Sequence, residues 1–157
     1  MNAKVYIETT IPSYLVARPS RDPLVAAHQQ LTREWWEVRR AAFELYVSEL
    51  VLEECRAGDV IFAAKRGEAL VGVRVLPLTT EILDLASALI MEGVIPGKAA
   101  GDAIHIAVAT AYACEYLLTW NCRHIANAEI QRALLPVVGG RGWNLPIICT
   151  PEELMGS

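Results

Sequence analysis

The chain has 157 residues, 54% of them hydrophobic and 20% charged, a size and balance that suit one folded domain and exclude a disordered tail. Its formal charge of −4, with a pI near 5.4, excludes a broad basic surface for nucleic acid and leaves room only for a local patch. Mean hydropathy is high at +0.30, yet no uncharged apolar stretch reaches the ~20 residues of a membrane span, and the most apolar region holds Asp102 and His105. No membrane insertion is expected. Val5, Tyr6 and Ile7 are followed at once by Glu8, too short a run for a secretory signal, so the expected compartment is the cytosol. Cys55, Cys114, Cys122 and Cys149 form no CxxC pair and are expected to be reduced thiols buried as small hydrophobes. Cys122 and His124 lack a second pair to complete a tetrahedral zinc site.

Lys4 to Ile7 reads as a first strand, cut off by Glu8 and by the turn chemistry of Thr9, Thr10, Pro12 and Ser13. Asp22 before Pro23 is a helix N-cap with proline at the first helical position. Leu24, Leu31, Trp35 and Val38 then recur at helical spacing, which predicts a long amphipathic helix with Arg33, Glu34, Glu37 and Arg40 on its wet side. Phe43 to Val47 reads as a second strand, Ser48 as the cap of a helix through Glu53, Glu54 and Cys55 halted by Gly58, and Val60 to Glu68 as a short helix. Val71 to Leu78 is a third strand, followed by a Thr80-capped helix to Gly93. Lys98 to Cys114 is alanine-rich and helical, Tyr116 to Trp120 a strand, Glu129 to Leu135 a helix and Pro146 to Cys149 a last strand. Thr150-Pro151-Glu152-Glu153 looks like the capped start of a terminal helix. Strands separated by helical crossovers predict a single α/β domain over 1–157, with a parallel sheet covered by helices on both faces. In such sheets the binding site lies outside the carboxyl ends of the strands.

Polar residues just after strands are therefore the candidates. Glu8 follows the first strand and Asn121 the Tyr116 to Trp120 strand, Asp102 lies in the first turn of the alanine-rich helix, and Glu54 stands on the Ser48-capped helix. Brought together, they make three carboxylates and one amide. Like charges a few Å apart raise one another's pKa, and a hard divalent cation resolves that conflict. Oxygen ligands without an organised His/Cys set select Mg²⁺ or Mn²⁺ over zinc, and such ions serve phosphodiester hydrolysis. Simpler readings stand beside these. Asp102 can complement the helix dipole, worth ~0.3 to 1 kcal/mol, and Asn121 can close a turn. His105, among Ile104, Ile106 and Val108, reads as a satisfied core or interfacial histidine, and Trp35 and Trp36 as core and interface residues. A carboxylate ending a short buried strand is costly to desolvate without a partner, which favours a functional Glu8. Glu53 and Glu54 lie ~100° apart on a helix, so only one of them faces the cleft.

In order, Tyr6-Ile7-Glu8-Thr9-Thr10, Ser48 through Glu54, Gly101-Asp102-Ala103-Ile104-His105-Ile106-Ala107 and Leu118-Thr119-Trp120-Asn121 resemble the PIN-domain family, including the VapC-like toxins of bacterial toxin-antitoxin pairs. The resemblance spans essentially the whole chain. It implies a three-layer α/β/α fold with a central parallel sheet, Mg²⁺ or Mn²⁺ dependence, and endoribonuclease activity preferring single strands, often in a homodimer held by a protein antitoxin. It sets the family's four acidic positions at Glu8, Glu54, Asp102 and Asn121, with Glu54 fixed by its count of six from Ser48. The family usually has aspartate at the first and fourth of these. Glu8 adds a methylene and Asn121 removes a charge, so a second metal ion is expected to bind more weakly. The long Asp22 to Arg40 segment and the run Trp120-Asn121-Cys122-Arg123-His124 suggest a PIN-like subgroup that need not be toxins.

Three functions compete on these residues. The first is a metal-dependent ribonuclease in which Glu8, Glu54 and Asp102 hold the metal and Asn121 orients water or metal. The second is a catalytically weak PIN-like module that binds RNA or a protein partner. The third is a phosphohydrolase of small phosphate esters, for which the chain offers no Gly-rich phosphate loop.

Overall fold

In the computed structural model, which describes residues 2–156, the chain runs β1 (Ala3–Ile7), α1 (Thr10–Val16), α2 (Pro23–Glu34), β2 (Phe43–Ser48), α3 (Glu49–Cys55) and α4 (Val60–Ala69), then β3 (Arg74–Leu76), α5 (Thr80–Met91), α6 (Ala100–Ala111), β4 (Tyr116–Leu118), α7 (Ala128–Gly140) and β5 (Ile147–Cys149). The five strands pair in the order β3-β2-β1-β4-β5, every pair parallel. Successive strand residues point to opposite faces, and Val5, Tyr6 and Ile7 are all fully buried, so helices cover both faces of the central strand. On the sheet, α5 packs against α6 and α7, while α1 packs against α2 and α4. The expected three-layer α/β/α sandwich with a central parallel sheet, PIN-like in architecture, is the observed fold. Among the described residues no helix is long and apolar enough to cross a membrane.

The topology singles out one place for a site. From β1 the chain builds outward through β2 to β3, then crosses back to lay β4 and β5 on the other side of β1. Connections leave β1 and β4 in opposite directions, which opens a crevice between their carboxyl ends. Glu8 directly follows β1, and Thr119, Trp120 and Asn121 directly follow β4.

Local chemistry explains most elements and several departures. Asp22 caps α2 as expected, its carboxylate accepting from the amides of Leu24 and Val25. The predicted long helix does not continue straight: Trp35–Arg39 widens to a π turn and Arg40–Ala42 tightens to a 3₁₀ turn before β2. That change of pitch rotates the apolar stripe, so Trp35 is fully buried while Val38 is 72% exposed. Thr9 to Ser13, expected as a turn, instead enter α1, where Pro12 sits in the first turn and costs no intrahelical bond. The cap of α5 is Thr79, whose side chain accepts from the amide of Ile82, not Thr80. Past Cys149 the chain makes turns only, and the expected terminal helix is absent.

Cys55, Cys114 and Cys149 are buried as expected, but Cys122 is exposed in the loop after Asn121. Burial pushes the Cys55 thiol up to about 11 and those of Cys114 and Cys149 to about 12. A thiol reagent at neutral pH is therefore expected to modify Cys122 alone in the folded chain and all four cysteines after denaturation. Rapid reaction of more than one thiol in the native protein would contradict this packing.

Candidate active site

The amide of Glu8 donates to the Leu118 carbonyl at 3.1 Å, extending the β1–β4 pairing by one residue and delivering the side chain into the crevice. Glu8 is 4% exposed. Such a carboxylate must be hydrogen-bonded, and its Oε1 accepts from the Thr10 amide at 3.1 Å, the Thr10 hydroxyl at 2.5 Å and the Thr119 hydroxyl at 2.6 Å. The Thr10 hydroxyl also accepts from the Trp120 amide at 2.8 Å, and the Thr119 hydroxyl from the Asn121 amide at 2.9 Å. The ends of β1 and β4 are thus tied together through one carboxylate oxygen.

Glu54 arrives on α3, whose start is capped by Ser48. Its Oε1 accepts from the Thr9 hydroxyl at 2.5 Å and faces His105 Nε2 at 2.7 Å. A Cβ on Gly101 would stand 3.3 Å from Glu54 Oε2, so glycine lets the first turn of α6 close on this carboxylate. Glu53 is exposed, as the ~100° offset required. Asp102, in that same first turn of α6, accepts at Oδ2 from His124 Nδ1 at 2.9 Å. The His124 amide donates to Asn121 Oδ1 at 3.0 Å. His124 therefore bridges the third and fourth candidates.

At the carboxyl edge, hydrogen bonds link Glu8, Asn121 and Asp102 through Thr119 and His124, while Glu54 belongs to a second network with Thr9, His105 and Tyr6 and meets the first turn of α6 at Gly101. Each carboxylate is engaged through one oxygen only. Glu8 Oε2, Glu54 Oε2 and Asp102 Oδ1 make no hydrogen bond with the described residues, among which no buried side-chain nitrogen or oxygen lacks a partner. These three oxygens therefore keep at least slight contact with solvent, narrowest at Glu8, which is 4% exposed. No group of three or more His, Cys, Asp or Glu side chains among the described residues stands in metal-holding geometry. The donor chemistry suits a hard cation, while the cage is not closed. A cleft of about 480 Å³ lies elsewhere, beside Tyr116 and Ile147 at the amino ends of β4 and β5.

Sequence reasoning passed over the residues that hold these groups in place. His105 is fully buried and satisfied, as expected, yet its partners are Glu54 and, through Nδ1 at 2.7 Å, the Tyr6 hydroxyl, itself 2.8 Å from Ser48 Oγ. Thr9 and Thr10 adjoin Glu8, and Thr119 precedes Asn121 by two, so their proximity in sequence was the available signal. His124 carried no such signal, because its link to Asp102 spans 22 positions.

Burial disfavours the charged forms of both His105 and Glu54, and their mutual contact outweighs it. The imidazole is held above its ordinary 6.5 by the Glu54 hydrogen bond and by the charges of Glu8, Glu54 and Asp102. The Glu54 carboxyl is held below its ordinary 4.5 by His105 and Thr9. In the metal-free protein, stability from the raised histidine is full below its ordinary value and lost as pH rises through the folded one. Stability from the lowered carboxyl is full above its ordinary value and lost as pH falls. The pair therefore stabilises most between 4.5 and 6.5.

Glu54 and Glu53 provide an internal comparison. Glu54→Gln is expected to weaken Mn²⁺ binding by more than about tenfold and Glu53→Gln to leave it unchanged, read by calorimetry. A larger loss in Glu53→Gln would mean that α3 presents the other face.

No family model and no curated protein matches the sequence. Among solved structures, the chain is similar to one in the crystal structure of VapBC2 from Rickettsia felis bound to a DNA fragment from their promoter. The TM-score is 0.61 over 94% of this chain and 98% of that one, at 16% identity. The likeness is one of fold.

Proposed function

We propose that the chain is a divalent-metal-dependent endoribonuclease acting on single-stranded RNA, with Glu8, Glu54 and Asp102 as ligands of Mg²⁺ or Mn²⁺. One observation carries the reading: at the switch point of a parallel sheet, three carboxylates are each held through one oxygen while the other makes no hydrogen bond with the described residues. Ligating carboxylates are typically held by such outer hydrogen bonds. Bound Mg²⁺ or Mn²⁺ acidifies water and screens charge building on a phosphate. Thr10 and Thr119 hold Glu8, Thr9 and His105 hold Glu54, and His124 holds Asp102. Asn121 spends its carbonyl oxygen on the His124 amide, leaving its side-chain NH₂ to donate to water or a phosphate oxygen, which an aspartate there cannot do. The VapBC2 complex of the structural neighbour supports a further proposal, that this chain has a protein antitoxin as partner; a homodimer and a cytosolic location are proposed with it from the family resemblance alone.

The second reading, a catalytically weak module that binds RNA or protein, is favoured by the double engagement of Glu54 Oε1 and by the open cage. Incubation of labelled single-stranded RNA with Mn²⁺ or Mg²⁺, with EDTA as control, separates the two. Metal-dependent internal cleavage is expected. Binding without cleavage across several RNAs and both metals would establish the second reading instead.

A further inference from the structure

Beside the carboxylates stands a group of rings, two of which have no polar partner among the described residues. Trp120, 7% exposed, stacks on His28 of α2 with centroids 3.9 Å apart and planes 11° from parallel. Tyr14 of α1 lies against the same indole at 6.2 Å and 16°. Trp120 is pinned: its Nε1 donates to Thr32 Oγ1 at 2.7 Å and its amide to Thr10 Oγ1, the hydroxyl that holds Glu8. Thr10 and Tyr14 are four residues apart on α1, so they share a face with Cβ atoms about 5–6 Å apart. The stack therefore lies about one helical turn from the Glu8 contact.

The two rings that lie against the indole differ from it. His28 and Tyr14 are half-buried, and neither the imidazole nitrogens nor the phenol hydroxyl makes a hydrogen bond with the described residues. Trp120 is already fixed by two hydrogen bonds of its own, so the ring on its face is not needed to satisfy it. An aromatic surface with unused donors and acceptors is what an unstacked nucleobase engages, stacking on the ring and bonding along its edge.

We propose that the partly buried imidazole of His28, stacked on Trp120 beside Tyr14 on the same indole, is a stacking site for a base of single-stranded RNA next to the phosphodiester to be cut. This rests on the ribonuclease reading above. His28→Ala is expected to raise KM for single-stranded RNA about tenfold with kcat within a factor of about two, because the lost contact serves binding alone. His28→Phe, which keeps a ring without its nitrogens, should restore most of the loss. Inorganic polyphosphate, charged but without bases, should inhibit all three proteins equally.

RNA anisotropy in EDTA, alongside thermal melts of the same preparations, reads binding apart from cleavage. Wild type that cleaves RNA while His28→Ala keeps its KM would overturn the stacking site and leave the ribonuclease standing. So would a loss shared by RNA and polyphosphate, or one that His28→Phe does not rescue. Wild type that never cleaves would sink the ribonuclease reading, and the stacking site would then stand or fall on whether His28→Ala loses about tenfold in anisotropy.

Discussion

Asp102→Asn is expected to lower metal-dependent RNA cleavage by more than about a hundredfold while leaving the fold intact. Removing an outer partner of a metal ligand typically costs ~10–100-fold, and removing a ligand charge should cost more. The structural cost is small. Asp102 sits in the first turn of α6, where its dipole contribution is ~0.3–1 kcal/mol, and an asparagine oxygen can still accept from His124 Nδ1. At this chain length ~1 kcal/mol moves Tm by about 2–4 °C. Activity and Tm measured on one preparation should therefore separate. Cleavage that persists in Asp102→Asn, or in EDTA, would point to a different site or a contaminating nuclease.

His105→Ala should behave in the opposite way, losing stability and activity together. The side chain is fully buried and joins Glu54 to Tyr6. Truncation leaves a cavity and strips a partner from a buried phenol and a half-buried carboxylate, together about 2–4 kcal/mol after allowing for the solvent exposure of Glu54. A thermal melt is expected to show Tm lowered by about 5–15 °C. His105→Gln, which can still donate to Glu54, should recover part of both losses. An unchanged Tm in His105→Ala would mean that the Glu54–His105–Tyr6 chain does not bear on the fold.

The contrast between these two variants reflects what the sequence made legible. Strand ends are readable from local pattern, which is why Glu8 and Asn121 stand out as candidates by position alone. Helical geometry allows only one of Glu53 and Glu54 to face inward and the family count from Ser48 names Glu54, which meets Thr9 and His105 while Glu53 is exposed. Pairings across long separations were not readable: His105 to Glu54 spans 51 positions and Thr119 to Glu8 spans 111. A histidine among Ile104, Ile106 and Val108 looks like core from its neighbours, and it is core; only the sheet's crossover puts a carboxylate against it. The π turn at Trp35–Arg39 was hidden for a related reason. Its residues have ordinary helical spacing, and the widening appears only where the helix must deliver Trp35 to the core and Phe43 to the start of β2.

The chemistry turns on whether the free oxygens of Glu8, Glu54 and Asp102 hold one cation together. The direct measurement is anomalous scattering from a crystal soaked in Mn²⁺. A manganese peak bonded to Glu8 Oε2, Glu54 Oε2 and Asp102 Oδ1, with Asn121 at its edge, is the predicted result. A peak elsewhere, or none at a Mn²⁺ concentration that supports cleavage, would contradict it.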